Sequence, residues 1–241
     1  MTRVTNELPC VSYDDERRSA KYYARWLRGK SPDLHDALKI TLMREILRMT
    51  PEARRELDKR HSEALTNVMT EADFPKDLTR RATMVFRIAV HVRRGDKVAL
   101  GEARPVPAST FVQGIRTILD TLNPPRHHPR LVHLFSDDAN ASSEFHQALA
   151  SNPDLNASLK VDFRYAGYRP DLGNDLNLVY EAFWQLLVDL RMMVESDVYL
   201  GSQSSNVGVM ACYLRVHHQC FNVENQNLTW KPSRNKIARL R

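Results

Sequence analysis

The sequence lacks the features that identify a membrane-spanning or exported chain. No stretch of its 241 residues approaches the roughly 20 consecutive apolar residues that are needed to span a bilayer. The first residues, Met1 to Cys10, lack the apolar core of a signal peptide. A hydrophobic content of 42% is typical of a globular protein rather than a disordered one. We therefore expect contact with a membrane only through segments that this sequence does not include.

Cysteine is scarce, and the common nucleotide-binding and metal-binding patterns are missing. Cys10, Cys212 and Cys220 form no Cys-x-x-Cys pair, and their number excludes a disulfide framework. A single Cys212–Cys220 bridge is one alternative, but we expect buried free thiols. The chain contains neither Gly-x-Gly-x-x-Gly nor the P-loop pattern, and no Asp-x-Asp that could hold a cation on a diphosphate. The sequence therefore predicts no metal ligands and no familiar dinucleotide or P-loop site.

Acidic residues are missing from the end of the chain, and this explains most of its net charge of +6. No Asp or Glu follows Glu224, whereas five Lys and Arg residues do. Because that tail accounts for nearly all of the excess charge, the rest of the chain is close to neutral and has no basic face typical of a duplex-binding protein. We expect a solvated, disordered tail and no nucleic-acid partner.

Two hydrophobic patterns divide the remaining chain. Charged helices are predicted first: an apolar repeat runs through residues 34–46, and Thr50-Pro51-Glu52 is typical of a helix start, with Thr as the N-cap. From Val85 short apolar strands alternate with helices, which favours βαβ units and an α/β fold with a mostly parallel sheet. The predicted regions are a helical extension (1–84), a Rossmann-like domain (85–226) and a basic tail (227–241).

Within the predicted sheet domain, the strands and helices have well-defined expected bounds. The predicted strands span residues 85–92, 131–135, 159–165, 198–200 and 220–223. The predicted helices span residues 109–122, 142–150, 176–194 and 205–216. In helix 176–194 we expect a buried stripe formed by Leu176, Val179, Phe183, Leu187 and Leu190, with Asp189 at its edge. Ligands bind beyond the carboxyl ends of parallel strands, so polar residues directly after a strand carry the functional information.

The first strand ends in a cluster of charge, His91-Val92-Arg93-Arg94-Gly95-Asp96-Lys97. Three cations at one strand end repel each other unless an anion lies among them. Arginine suits that role because its planar guanidinium can bind two phosphate oxygens at once. The alternative is a solvated strand end in which Asp96 pairs with Arg94.

Two further strands end in polar residues. Ser136-Asp137-Asp138 follows the second strand, and neighbouring strand residues point to opposite faces, so these two carboxylates do not suit a single metal ion. We expect one of them to cap the next helix or to orient the arginines. The fourth strand leads through a turn rich in serine to a helix start, where backbone N–H groups favour an anion and Ser204 or Ser205 adds a hydroxyl. Ordinary helix capping is the alternative.

In order and spacing, these three motifs resemble those of the α-1,6-fucosyltransferases that core-fucosylate N-glycans, over residues 86–216. The resemblance implies the donor-binding half of a two-Rossmann-domain enzyme, with GDP-fucose as donor, no metal or other cofactor, and a glycan or glycoprotein acceptor. A member of this family would act in the Golgi lumen. Family members also carry a preceding Rossmann-like domain, which has no counterpart in this sequence. The chain is thus expected to be a fragment, a reduced relative or a binding protein.

The resemblance also assigns roles to particular residues. Arg93 and Ser205 would hold the diphosphate, and His91 and Asp189 would read guanine. The donor site would also include Arg94, Asp138 and Ser204. Lys97 would act at the reacting centre, and Glu102 would be the catalytic base, a match that requires one inserted residue after Lys97.

Two rival functions share part of this pattern. An α-1,2-type fucosyltransferase has a similar His-x-Arg-Arg-Gly-Asp core, but Lys97 after Asp96 favours the α-1,6 type. A non-catalytic module that binds a GDP-sugar is the rival from another class. Binding without turnover would distinguish such a module from an enzyme.

Overall fold

A computed structural model describes residues 49–71, 85–94, 105–125, 127–165, 176–202, 205–215 and 219–224. The predicted repeat at 34–46 and the basic tail lie outside these ranges. All the described residues belong to a compact unit that spans Met43–Pro232. The three predicted region boundaries stay predictions. No helix in the described ranges is both long enough and apolar enough to cross a bilayer.

Five parallel strands form one sheet. They are β1 (Phe86–Val92), β2 (Arg130–Ser136), β3 (Lys160–Tyr165), β4 (Val198–Gly201) and β5 (Gln219–Asn222). Each strand begins and ends within one residue of its predicted bounds. The spatial order is β3-β2-β1-β4-β5, which confirms the predicted α/β fold with a Rossmann-like parallel sheet. Strands buried on both faces need apolar residues at nearly every position, and this makes them recognisable in the sequence.

Six helices accompany the strands in the described ranges. They are α1 (Pro51–Glu71), α2 (Ala108–Leu122), α3 (Ala141–Ala150), α4 (Pro153–Ser158), α5 (Leu176–Glu195) and α6 (Asn206–Leu214). The short helix α4 was not predicted. The predicted helix start is confirmed, since the Thr50 hydroxyl accepts a hydrogen bond from the Ala53 N–H at 3.2 Å.

The helices cover two different faces of the sheet. Helices α2, α3 and α4 pack on one face in an apolar cluster that includes Ile88, Phe111 and Phe145. Helices α1, α5 and α6 pack on the other face, in a cluster that includes Met69 and Tyr199. We call these the apolar face and the mixed face, because buried His and Asp side chains accompany the second cluster.

Helix α1 is joined to α5 by charged and aromatic contacts. The Arg60 guanidinium donates to both oxygens of Glu181, at 2.6 and 3.0 Å, and lies 5.5 Å from the centre of the Trp184 ring. On the same two helices, Arg191 of α5 pairs with Asp58 of α1. Residues before β1 thus help to cover the mixed face.

Three sequence predictions are wrong in this region. Val179 and Phe183 are 46% and 55% exposed, because the first turns of α5 extend past the apolar contacts that bury Trp184 and Leu187. Asp189 lies not at the edge of the apolar stripe but fully buried. Cys212 and Cys220 are not free thiols but form a disulfide, since the end of α6 comes beside β5 with the two Cα atoms 6.0 Å apart.

Candidate functional site

The candidate site lies at the carboxyl edge of the sheet, between β1 and β4. The chain proceeds outward from β1 through β2 to β3, and then returns to the other side of β1 to form β4. The segments that leave β1 and β4 therefore diverge, which opens a crevice of the kind where open α/β sheets bind ligands. Arg93 follows β1 at this crevice, and Ser202 and Ser205 follow β4.

Asp137 holds the first of the two predicted arginines. Its Oδ2 pairs with the Arg93 guanidinium, and its Oδ1 accepts from the Arg94 backbone N–H at 2.8 Å. The contact follows from the register, because Val92 is paired with Ser136 and the next residues, Arg93 and Asp137, share a face. The prediction that one carboxylate of this motif orients the arginines is confirmed.

Arg94 points to the opposite face of the sheet. Its guanidinium pairs with Glu144 on α3, lies 3.6 Å from Asp138 and donates to the Val106 carbonyl at 3.2 Å. Asp138 also accepts from the Asn140 N–H at 2.9 Å, directly before α3. Arg94 therefore joins the end of β1 to α3 and to the residues that precede α2. The predicted alternative partner, Asp96, lies outside the described residues.

Ser136 joins the ends of the two strands that carry these arginines and carboxylates. Its hydroxyl donates to the Val92 carbonyl at 2.8 Å and accepts from the Asp138 N–H at 3.1 Å. Because the side chain is fully buried, these bonds compete little with water. The Ser-Asp-Asp motif thus acts as a unit that fixes both arginines.

The start of α6 forms the other wall of the crevice. Ser205 is the N-cap, and its hydroxyl accepts from the Gly208 N–H at 3.3 Å. This is the ordinary capping that the sequence left as an alternative, and it leaves the helix dipole directed at the crevice. Just before it, the Ser202 hydroxyl bonds to Glu224, which follows β5.

His91 is buried on the mixed face, two residues before Arg93 and on the same side of the sheet. Its Nδ1 atom lies 3.3 Å from the hydroxyl of Tyr199, which is itself fully buried on β4. Desolvation by burial lowers the pKa of His91 to about 4, and the nearby Asp137 carboxylate offsets only part of that effect. The imidazole is therefore neutral at physiological pH.

Asp189 on α5 faces the end of β3. Its Oδ1 accepts from Arg164 Nε at 2.6 Å and from Gln185 Nε2 at 2.7 Å. Its Oδ2 is buried and has no hydrogen-bond partner in the described part of the chain. Burial raises the pKa of Asp189 to about 6, against the lowering effect of Arg164. A buried acceptor without a partner is costly, so Oδ2 is suited to accept from a ligand.

Arg164 and Asp189 belong to the same level of the sheet as His91. The register aligns Arg164 with Phe135, Phe135 with His91, and His91 with Gly201. Paired residues of parallel strands present their side chains on the same face, so Arg164 and His91 both face the helices of the mixed face. The structure thus gathers these groups on one side of one edge.

Not all the predicted site residues can be placed. His91, Arg93, Arg94, Asp138, Asp189 and Ser205 are described, whereas Lys97, Glu102 and Ser204 lie outside the described residues. Within the described ranges, no group of three or more His, Cys, Asp and Glu side chains is arranged to hold a metal ion.

Sequence reasoning missed several residues that the structure brings to this edge. Asp137 was left undecided between two roles, and Tyr199, Arg164 and Gln185 were not singled out. Gln185 precedes Asp189 by four residues on a helix, and this spacing could have suggested their contact. The contacts of Asp137 with Arg93 and of Tyr199 with His91 have no such spacing, because they join different strands and the strand register is not visible in the sequence.

A groove on the mixed face lies elsewhere. It has a volume of about 410 Å³ and runs between α1 and the second half of α5, where Leu57, Leu187 and Leu190 form part of its lining. Helix α5 starts at the carboxyl edge and runs back across the sheet, so this groove lies toward the amino edge. It is not part of the candidate site.

Comparisons with known proteins add little to this geometry. No protein-family model matches the chain, and no curated protein is similar to it in sequence. Among solved structures, NodZ α-1,6-fucosyltransferase soaked with GDP-fucose is similar over 75% of this chain and 47% of its own, with 15% identity and a TM-score of 0.40. POFUT1 in complex with GDP-fucose is similar over 66% and 42%, with 15% identity and a TM-score of 0.39. The chain spans less than half the length of either structure.

Proposed function

We propose that this chain binds GDP-fucose at the crevice between β1 and β4 and transfers fucose to a glycan acceptor. The observation that carries the proposal is the pairing of Arg93 with Asp137 at the crevice, opposite the N-terminus of α6. An oriented guanidinium and a helix start are both suited to a diphosphate. The motif resemblance gives the nucleotide and the sugar, and Lys97 favours the α-1,6 linkage over α-1,2.

The proposed reaction inverts the configuration at the fucose carbon that is attacked. The acceptor hydroxyl oxygen forms a bond to C1 of fucose while the bond from C1 to the β-phosphate oxygen breaks. Glu102 takes the hydroxyl proton, a contribution of typically ~10²–10⁴-fold, and Lys97 assists at the same centre. Arg93 and the N–H groups at the start of α6 stabilise the charge that develops on the departing GDP.

The guanine base lies, in this proposal, against the mixed face. Asp189 Oδ2, which has no partner among the described residues, accepts from N1–H or the 2-amino group, and His91 contacts the base from the same level of the sheet. Arg164 and Gln185 hold the other oxygen of Asp189 and so set the direction of Oδ2. The disulfide between Cys212 and Cys220 supports an oxidising compartment, such as the Golgi lumen, as the site of action.

The decisive test compares two adjacent arginines that lie on opposite faces. Arg93→Ala should lower turnover by on the order of 10²–10³, because a preorganised donor to a developing anion is lost. It should also weaken GDP binding by ~2 kcal/mol or more, while guanosine, which lacks phosphates, is nearly unaffected. Calorimetric titrations of GDP and guanosine, with a GDP-fucose transfer assay, measure both effects.

Arg94→Ala is the matched control. Arg94 binds Glu144 and Val106 on the far side of the sheet, so its loss should lower the melting temperature more than it lowers GDP affinity. The titrations are run in excess chelator, because cationic side chains replace the metal in this mechanism. Unchanged GDP affinity in Arg93→Ala, or complete loss of binding under chelation, contradicts the proposal. Binding without turnover identifies a GDP-sugar-binding module.

A further inference from the structure

Tyr199 has an unusual position for a tyrosine in the core. It lies on β4 with its ring and hydroxyl fully buried, and the hydroxyl has one hydrogen-bond partner in the described part of the chain, Nδ1 of His91 at 3.3 Å. A buried hydroxyl at the centre of a sheet domain is costly unless it is satisfied. The position therefore calls for an explanation beyond packing.

The chain makes room for this hydroxyl at two glycines. A Cβ atom on Gly201 would lie 2.2 Å from Tyr199 Oη, and one on Gly208 would lie 2.5 Å from it. Both distances are far below van der Waals contact. Any side chain at either position would thus displace the phenol from His91. Gly201 ends β4 and Gly208 lies in the first turn of α6, so the tyrosine hydroxyl sits directly beneath the crevice.

The direction of this hydrogen bond follows from the available partners. If His91 Nδ1 carried the proton, it would donate to Tyr199 Oη, and the tyrosine O–H would then have no acceptor. If Tyr199 donates, Nδ1 accepts, and both buried groups are satisfied. A neutral imidazole has one N–H, and burial keeps His91 neutral at physiological pH. The proton must then be on Nε2, which has no partner among the described residues.

We propose that Tyr199 is a positioning residue that fixes His91 in the Nε2–H tautomer, so that the site presents a hydrogen-bond donor to an acceptor atom of the bound base. This inference rests on the proposed function, in which the ligand is GDP. The O6 of guanine is an acceptor, whereas adenine carries a donor amino group at the same position. Together with the acceptor Oδ2 of Asp189, an Nε2–H donor complements guanine and opposes adenine.

The test reads the tautomer directly. Nitrogen-15 NMR of the histidine rings, with His91 assigned by His91→Gln, distinguishes the nitrogen that carries the proton from the one that accepts. In the ligand-free parent protein His91 should be in the Nε2–H form. Tyr199→Phe, which removes only the hydroxyl, should give a mixture of tautomers. Tyr180→Phe, at an exposed position on α5, should leave the His91 signals unchanged.

Affinity measurements complete the test. Tyr199→Phe should weaken GDP binding roughly three- to tenfold, the usual worth of a hydrogen bond, and should narrow the ratio between GDP and ADP affinities. An Nδ1–H tautomer in the parent protein overturns the inference, whatever the variants do. Parent-like GDP affinity in Tyr199→Phe overturns the positioning role. Failure of the parent to bind GDP contradicts the proposed function instead, and the nitrogen signals then decide the tautomer assignment alone.

Discussion

The two faces of the sheet are built from the same strands but hold very different side chains. On the apolar face, alternate residues of β1 and β2 such as Ile88, Val90 and Leu134 meet apolar residues of α2 and α3. On the mixed face, the intervening residues include His91 and His133, and the helices add Asp189. The period of two along each strand thus separates a face that provides packing from a face that carries ionisable groups.

This difference shows where chemistry can be built into a small parallel domain. Hydrophobic burial on one face contributes most of the stability and tolerates no polar group without a partner. The other face holds several buried polar groups that are paired with a side chain on another element: His133 binds Asp162 at 3.0 Å, Asp189 binds Arg164, and His91 binds Tyr199. Buried groups with shifted pKa values are typical of functional sites.

The largest expected effect comes from removing a side chain that packs on the apolar face. Phe145→Ala removes a fully buried ring of α3 and should lower the free energy of unfolding by ~3–5 kcal/mol, through lost burial and the cavity left behind. Phe183→Ala on α5, which is 55% exposed, is the matched control and should cost less than about 1 kcal/mol. Urea unfolding of both variants measures the difference. Equal costs would mean that Phe183 is covered in solution.

The next largest expected effect is a loss of stability in acid, caused by the buried His91 on the mixed face. Burial lowers the pKa of His91 to about 4, below its ordinary value of 6.5, so the unfolded chain takes up this proton first as the pH falls. The stability contributed by neutral His91 is therefore complete above pH 6.5 and is lost as the pH falls toward 4, by up to about 3 kcal/mol.

Comparison with His91→Gln isolates this effect from other titrating groups. Burial also lowers the pKa values of His61 and His133, which act in the same direction, and raises that of Asp189, which acts in the opposite one. These contributions are common to both proteins and largely cancel in the difference. The advantage of the parent over the variant should shrink between pH 6.5 and 4. Parallel curves of unfolding free energy against pH would count against a neutral, buried His91.

A third effect tests whether Asp189 on the mixed face recognises the guanine base. Asp189→Ala should weaken GDP by ~1–3 kcal/mol, the cost of an unpaired buried donor on guanine, and should weaken guanosine by a similar amount. In this it differs from Arg93→Ala, which spares guanosine. ADP and UDP should bind poorly to the parent protein. Calorimetry with the four ligands is the measurement, and Asp189→Asn, which keeps the size of the side chain, controls for repacking around Arg164.

Should the parent bind GDP and UDP equally, the site does not recognise guanine. If Asp189→Ala loses GDP affinity together with much of its stability, then the role of Asp189 is to stabilise the end of β3 through Arg164. A thermal melt of each variant separates these two outcomes.

The smallest effect concerns the helix that covers the mixed face. Thr50→Ala removes the hydroxyl that caps α1 and should lower the free energy of unfolding by ~1 kcal/mol with no change in GDP affinity. Thr66→Ala is the control. The Thr66 hydroxyl donates to the Ser62 carbonyl on the exposed side of the same helix, where that carbonyl already accepts a backbone hydrogen bond. Equal effects of the two substitutions, in chemical denaturation, would show that the cap contributes nothing specific.

The sequence by itself determined the class of fold and the placement of its elements. The strands could be predicted because a strand buried on both faces must be apolar at nearly every position, and the helix start at Thr50 because capping is local. The position of Arg93 at a strand end, and hence at the carboxyl edge, follows from the same local pattern. The predictions about Lys97, Glu102 and Ser204 stay predictions.

The tertiary structure alone decided which side chains meet. Asp137 holds Arg93, Tyr199 holds His91, and Arg164 holds Asp189, and in each pair the partners lie on different elements, at least 25 residues apart in the sequence. Such contacts depend on strand order and register, which arise from packing the whole sheet and not from any local pattern. The exposure of Phe183 and the Cys212–Cys220 bridge were mispredicted for the same reason, since burial and proximity are properties of the packed chain.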